Sequence, residues 1–327
     1  MGRAVIWTSR LSFTAAAAVF LAVLPFLVSG YHALELAGMG TFFVAILGLN
    51  ILTGYTGQIS IGHGALMGIG GYTTAILASE HGIPDYWTIP LAGLLTGLVG
   101  LAFGVPSLRL TGLYLALATF GVAVAAPQIE KKWASLTKGT TGIILTTHSG
   151  DWLYAVAWGT AAVLFVLAWL IVRSRFGLAL AAIRDSEIAA ASMGVDAARY
   201  KVLAFGISAF YAGVAGALYA MSSAYVNPDV YPVTLSLFLL IGAVIGGLGS
   251  LTGMLAGAAF VEYVQRYAAS AVHWLSRGEL NTSRPGIPAV IFGAALIVLV
   301  LVFPTGVGGA IRRAMSPLTT RLYSRSQ

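Results

Sequence analysis

The feature that most constrains this chain is a series of nine long stretches that contain no charged residue. A helix needs about 20 mostly apolar residues to cross the hydrocarbon core of a bilayer, and eight of the nine have the length of one crossing. The stretch 230–261 is too long for one crossing and contains the turn signal Gly246-Gly247-Leu248-Gly249-Ser250. Dividing it into helices at 233–247 and 251–271 predicts ten crossings. The nine stretches are Leu11–Gly30, Leu36–Gly54, Ile61–Ser79, Tyr86–Val105, Thr111–Pro127, Trp152–Val172, Val202–Val226, Val230–Val261 and Pro285–Ile311.

The composition excludes a soluble or disordered chain. Only 18 basic and 11 acidic residues occur among 327, and the mean hydropathy is +0.88. A soluble domain carries roughly 25% charged residues, and disordered chains carry many charges and few apolar residues. There is no cysteine, which excludes disulfides and thiolate sites. We therefore predict an all-α, polytopic membrane protein with about ten transmembrane helices.

The distribution of charge predicts the topology. If the N-terminus is cytoplasmic, 12 of the 18 Lys and Arg residues fall on inner segments, as the positive-inside rule requires. Ten crossings then place the C-terminal tail, 305–327, in the cytoplasm as well. The net charge of +7 thus reflects topology, and we expect no nucleic-acid partner. The first stretch is longer than a signal-peptide core, which favours an uncleaved helix over a peptide cleaved after Val28-Ser29-Gly30.

The chain lacks the motifs of the common catalytic sites. No lysine follows a glycine, so there is no Walker A loop for ATP. No nucleophile elbow and no cluster with metal-ligand spacing occurs either. We expect no catalytic residues and no metal. Glu262 is the one acid within the predicted crossings, in the helix at 251–271, and a structural pair with Arg266 is favoured over a proton relay.

The most charged stretch, 173–201, lies on the predicted cytoplasmic side. Leu178–Ile183 and Glu187–Met193 are strong helix formers. Asp185 or Ser186 can cap the second helix, Glu187 complements its dipole, and Gly194 can end it in the left-handed conformation. A solvated connector rarely needs a capped, alanine-rich helix, whose small side chains let a partner approach. The stretch therefore favours a docking element over a plain connector.

Four separated blocks of this sequence resemble one known family. Glu187-Ile-Ala-Ala-Ala-Ser-Met-Gly194 is similar to the Glu-Ala-Ala…Gly coupling motif of ABC importer permeases. Gly48–Gly64, Leu108–Thr119, Arg175–Tyr219 and Ile245–Gly253 resemble the permeases of branched-chain amino-acid importers, and 108–119 resembles their M-type subunit. The resemblance spans roughly residues 35–305.

This resemblance implies a single transmembrane permease domain, 1–327, with a cytoplasmic coupling loop at 173–201, in the bacterial inner membrane. It implies import of branched-chain or other hydrophobic amino acids. The implied partners are a homologous H-type permease forming a heterodimer, two cytoplasmic ATPase subunits that carry ATP and Mg, a periplasmic binding protein and membrane lipid. No cofactor is expected in this chain. The implied ATPase-coupling residues are Arg184, Asp185, Ser186, Glu187, Ala190 and Gly194.

A cluster of seven glycines between Gly54 and Gly71 is the second candidate region. Each glycine costs a helix about 1 kcal/mol relative to alanine, so an ordinary helix is not expected there. Close helix packing alone is the favoured explanation. The other is a broken helix that also lines the substrate pathway. His63 alone is expected to be a hydrogen-bonded interior residue. The pathway candidates are Gly57, Gln58, Ser60, His63 and Gly64.

Two other functions stay open from the residues alone. An ABC permease could carry urea, short amides or another small polar solute, because the binding protein sets most of the selectivity. A secondary transporter or channel acting alone is disfavoured by the scarcity of intramembrane acids and by the capped cytoplasmic helix.

Overall fold

A computed structural model of the chain describes residues 30–110, 112–275 and 293. The first and tenth predicted crossings and the tail 305–327 lie outside these residues. The described part holds eleven α-helices, a π-helix at Ile51–Tyr55, a 3-10 turn at Gly139–Thr141 and two short strands. The helices are α1 (Gly30–Asn50), α2 (His63–Ser79), α3 (Asp85–Ser107), α4 (Leu113–Lys132), α5 (Ala134–Thr137), α6 (Gly150–Arg173), α7 (Arg175–Asp185), α8 (Glu187–Ser192), α9 (Ala197–Ser223), α10 (Val233–Gly246) and α11 (Met254–Leu275).

The structure is that of an all-α membrane protein. Within the described residues, five helices are long and apolar enough to cross a bilayer, namely His32–Tyr55, Asp85–Ser107, Leu113–Lys132, Gly150–Arg173 and Ala197–Ser223. Each coincides with a predicted crossing. The predicted division of 230–261 is confirmed, because α10 ends at Gly246 and α11 begins at Met254. The exception to the all-helical prediction is a two-residue antiparallel ladder that pairs β1 (Ile143–Ile144) with β2 (Tyr225–Val226).

Helix α10 is unusually short for a membrane helix. Its 14 residues span about 21 Å, whereas the hydrocarbon core is about 30 Å thick. The residues before it are not helical, and Tyr231 among them is 2% exposed. The chain at Tyr231 is therefore packed within the protein although it is not helical.

The centre of the bundle is α9, which packs against α1, α2 and α3. Glycine lets these backbones approach each other. A Cβ atom added at Gly70 of α2 would lie 2.1 Å from the carbonyl oxygen of Gly213 of α9, and one added at Gly216 would lie 1.9 Å from the carbonyl oxygen of Met67. Small residues at membrane helix contacts allow this close packing. Part of the glycine cluster therefore serves packing, as expected.

The connections of the bundle gather at its two ends. At one end Lys138 pairs with Glu80, Lys131 with Asp229, and His148 with Asp85. At the other end Gly54, Arg184 and Gly249 lie together. If successive crossings alternate in direction, the described connections are expected to fall into these two groups.

Two acids, one buried and one partly buried, were not expected inside the helices. Our criterion ended an apolar stretch at its first charge, but α1 begins before Glu35 and α4 continues through Pro127 to Lys132. Glu35 and Glu130 therefore belong to helices. The expected pair of Glu262 with Arg266 is confirmed, with 2.6 Å between Oε1 and Nη2. Glu35 accepts a hydrogen bond from the Tyr267 hydroxyl at 2.5 Å.

The contact between α2 and α9 gives a first prediction. Gly70→Ala forces the two backbones apart, and overpacking of this kind costs about 1–3 kcal/mol. We expect a lower midpoint of thermal unfolding for the purified protein in detergent. The matched control is Gly159→Ala in α6, where an added Cβ meets nothing within 4 Å. Equal midpoints for the two variants would show that the α2–α9 contact does not limit stability.

Candidate functional site

The first candidate site is an interruption between α1 and α2. Helix α1 continues into the π-helix at Ile51–Tyr55, and the next helix begins only at His63. Gly57 has a φ of +74°, a conformation that favours glycine and ends the helical path. The chain is therefore not helical between Thr56 and His63, as the less favoured explanation requires. Gly57 also lies beside Arg184, whose Cγ would be 3.2 Å from an added Cβ.

Neighbouring helices satisfy the backbone groups that the interruption frees. The Ile61 amide donates to Thr119 Oγ1 of α4 at 2.9 Å, and the Gly64 amide donates to Ser236 Oγ of α10 at 2.8 Å. Thr53 Oγ1 donates to the Gln58 carbonyl at 3.1 Å. The interruption is thus a fixed structure held from two other helices, since a lipid environment offers no water to replace these partners.

The pathway candidates are mostly enclosed. Gln58, Ser60 and His63 are buried, and His63 Nε2 lies 3.0 Å from the Ala45 carbonyl oxygen, as expected for an interior histidine. Gly64 packs against Ser236. Two buried atoms, Gln58 Oε1 and His63 Nδ1, have no hydrogen-bond partner among the described residues. The segment therefore combines close packing with unsatisfied polar groups, and the lining of a substrate pathway stays a prediction.

The second candidate site is the segment between α6 and α9. The predicted loop 173–201 is shorter in the structure, because α6 ends at Arg173 and α9 begins at Ala197. Ser186 caps α8, accepting from the Ala189 amide at 3.3 Å, whereas Asp185 is the last residue of α7. Of the two capping candidates, Ser186 is therefore the N-cap of α8.

Gly194 ends α8 in the predicted way. Its φ is +83°. The Gly194 amide donates to the Ala191 carbonyl at 2.9 Å, and the Val195 amide donates to the Ala190 carbonyl at 3.0 Å. This pair of bonds is the Schellman motif, which requires a left-handed residue where Gly194 stands.

The exposed surface of this segment carries large apolar side chains as well as small ones. Ala190 is only 3% exposed and packs against its own chain, whereas Ala189 and Ala191 are exposed. Ile188 and Met193 are 83% and 85% exposed. Sequence reasoning missed them because it considered only the small side chains of this segment. The available signal was an isoleucine and a methionine in a capped, otherwise polar segment.

Glu187 has a partner within the chain. Its Oε2 lies 2.5 Å from Lys201 Nζ of α9, and the lysine side chain is 11% exposed against 50% for the glutamate. Sequence reasoning gave Glu187 a role toward the helix dipole and did not consider Lys201, which is 14 residues away. The pair ties α8 to the first turns of α9.

Arg184 joins the two candidate sites. Its Nη1 donates to the Gly54 carbonyl, in the π-helix before the interruption, at 2.8 Å. The glycine-rich turn between α10 and α11 completes the cluster: Asn50 Oδ1 accepts from the Gly249 amide at 2.8 Å, and the Tyr55 hydroxyl donates to the Gly249 carbonyl at 2.8 Å. Asn50 thus joins separate segments, as expected of it. The segment that bears α8 therefore contacts the interrupted helix directly.

Comparison with known proteins is consistent with this arrangement. The profile of a family described as branched-chain amino acid transport system / permease component matches residues 34–303. The chain belongs to this family. No solved structure gives a significant match.

The relatives distinguish the two subunit types. The chain is 32% identical to the high-affinity branched-chain amino acid transport system permease protein LivM of Salmonella typhimurium (strain LT2), over 73% of this chain and 64% of LivM. It is 25% identical to the corresponding protein LivH of Escherichia coli (strain K12), over 82% of this chain and 91% of LivH. The chain thus spans somewhat less than two thirds of the LivM relative. The predicted M-type resemblance is confirmed.

The pair of Glu187 with Lys201 can be tested by a double-mutant cycle on the purified chain. We expect Glu187→Gln and Lys201→Met each to lower the unfolding midpoint, with a coupling energy of about 1 kcal/mol between them. Arg199→Met, at a residue 83% exposed in the same helix, should combine additively with Glu187→Gln. Additive effects for Lys201 would instead fit a role of Glu187 toward another subunit.

Proposed function

We propose that this chain is the M-type permease subunit of an ATP-driven ABC importer, and that it translocates branched-chain or other hydrophobic amino acids. The observation that carries the proposal is the contact of Arg184 with the Gly54 carbonyl. It joins a capped, protruding segment to the interruption between α1 and α2, at the same end of the bundle. A contact of this kind suits a protein whose conformational change is driven by a partner protein that binds at one face.

In the proposed cycle, ATP closes an ATPase dimer in the cytoplasm and displaces α8. The Glu187–Lys201 pair transmits that displacement to α9, and Arg184 transmits it to the π-helix and the interruption. The two permeases then exchange outward and inward openings. ATP needs only to bias two packings of similar free energy. No covalent intermediate forms on this chain.

The proposed assembly contains four kinds of subunit in the bacterial inner membrane. They are this chain, an H-type permease, two cytoplasmic ATPases that bind ATP and Mg, and a periplasmic binding protein. This chain itself takes no part in ATP hydrolysis. Exposed apolar side chains on α3, α4 and α6, such as Leu98, Leu117 and Val163, suit contact with lipid or with the second permease. Gln58, Ser60, His63 and their glycine neighbours border the proposed pathway.

The function is tested by uptake. In cells that lack other branched-chain amino-acid uptake, we expect accumulation of radiolabelled leucine to require this chain together with its ATPase and binding protein. Excess urea or acetamide should not compete. Competition by urea or acetamide would indicate the alternative cargo. Uptake that survives loss of the ATPase and collapses with an ionophore would identify a secondary transporter instead.

Docking through α8 is tested by Ile188→Asp. A charge placed in a desolvated apolar contact weakens binding by about tenfold or more. We expect the ATPase to co-purify poorly with this variant, while the permease pair stays intact. The matched control is Ile144→Asp, which changes a residue 77% exposed on β1, at the opposite end of the bundle. Equal recovery of the ATPase with both variants would refute docking at Ile188.

A further inference from the structure

Glu130 is a carboxylate that no step described above uses. It lies in the last turn of α4, and its side chain reaches toward α2. A Cβ atom added at Gly68 would lie 3.1 Å from Glu130 Oε1. Oε2 is buried and has no hydrogen-bond partner in the part of the chain that the structure describes. An acid in such a position within a membrane segment is costly and usually marks a ligand or ion pathway.

Two neighbouring cations are paired with other acids. Lys131 Nζ lies 2.9 Å from Asp229 Oδ1, and Lys138 Nζ lies 2.7 Å from Glu80 Oε1. Glu130 forms no ion pair among the residues that the structure describes, which leaves its charge available to the cation of a bound solute. A carboxylate accepts hydrogen bonds from an ammonium group and attracts its charge.

Aromatic side chains complete the surroundings of Glu130. Tyr72, one turn beyond Gly68 on α2, has a buried hydroxyl with no partner among the described residues, and it interacts electrostatically with Glu130. The Tyr231 ring and Glu130 Oε1 both lie within 3.5 Å of the position of a Cβ on Gly68. Carboxylate and aromatic faces together are the groups that proteins use to bind ammonium cations.

This cluster is continuous with the interruption. Gly64, Gly68 and Gly71 recur along one face of α2 at helical spacing, where they meet Ser236, Glu130 and Tyr231 in turn. This face of α2 begins beside the interruption at Gly64 and extends to the carboxylate of Glu130. A solute bound at Glu130 thus lies against the same helix that leaves the interruption.

We propose that Glu130, with Tyr72 and Tyr231, is a binding subsite for the ammonium group of a zwitterionic amino acid during its passage. The inference rests on the proposed function and deepens it, because it names the group of the cargo that this permease recognises. Glu130 accepts hydrogen bonds from the ammonium group, and the Tyr72 hydroxyl supplies a second polar contact. Urea and uncharged amides lack the cation that the subsite requires.

The test uses the complete transporter and radiolabelled leucine. Glu130→Gln keeps size and hydrogen bonding but removes the charge. We expect uptake to fall by about tenfold to a hundredfold, the range expected for a lost hydrogen bond to a charged group. Stimulation of ATP hydrolysis by the loaded binding protein should persist, because Arg184 and α8, which couple the chain to the ATPase in the proposed cycle, lie at the opposite end of the bundle from Glu130. Glu130→Asp should recover part of the uptake, and Tyr72→Phe should lower it less.

Glu80→Gln is the matched control. The hydrogen bond and the charge of Lys138 hold the pKa of the Glu80 carboxyl below its usual value, so this substitution also removes a charge, near the same end of α2. It should leave uptake unchanged.

Two outcomes overturn the subsite. One is uptake at the wild-type rate by Glu130→Gln, which would show that Glu130 is a neutral residue that only fills space. The other is failure of Glu130→Gln to assemble, which identifies a structural role. Failure of the proposed function itself is distinguishable, because the unmodified transporter would then take up no leucine, and the subsite would fall with it.

Discussion

The rest of the structure depends on one constraint: a chain that leaves the helical path inside a membrane must find protein partners for the backbone groups it frees. Between Gly57 and Gly62 this chain does so with groups drawn from distant segments. Thr119 of α4, Ser236 of α10 and the guanidinium of Arg184 each satisfy one backbone group at or beside the interruption. The interruption is therefore the point at which four otherwise separate parts of the molecule are joined by hydrogen bonds.

That arrangement explains how a signal at one face can affect the middle of the bundle. Arg184 is the last residue but one of α7, and α8 follows directly with Ser186 as its cap. A displacement of α8 changes either the Arg184–Gly54 bond or the position of the π-helix. Both alternatives alter the set of partners around Gly57. The backbone of Gly57 is left-handed, a conformation that residues other than glycine rarely adopt. Coupling here needs no long chain of contacts, since one side chain spans the gap.

The sequence could predict those features that follow from local backbone chemistry. The break near Gly57, the cap at Ser186 and the left-handed end at Gly194 each depend on what one residue type can do, and all three are present. Features that depend on tertiary contacts were missed. Glu130 was left outside the predicted crossing Thr111–Pro127 because only uncharged residues were counted, yet the helix continues to Lys132. Lys201 was overlooked because only folding brings it to Glu187.

The two sides of α2 set what can move in the proposed cycle. On one side Met67 and Gly70 meet Gly216 and Gly213 of α9 backbone to backbone, at distances that leave no room for a side chain. Interiors packed this closely transmit displacement instead of absorbing it. On the neighbouring side, Gly64 meets Ser236 of α10 and Gly68 meets Glu130 of α4. Under the proposed function, α2 and α9 therefore move as one body, and the surface that opens and closes is the polar one, toward α4 and α10.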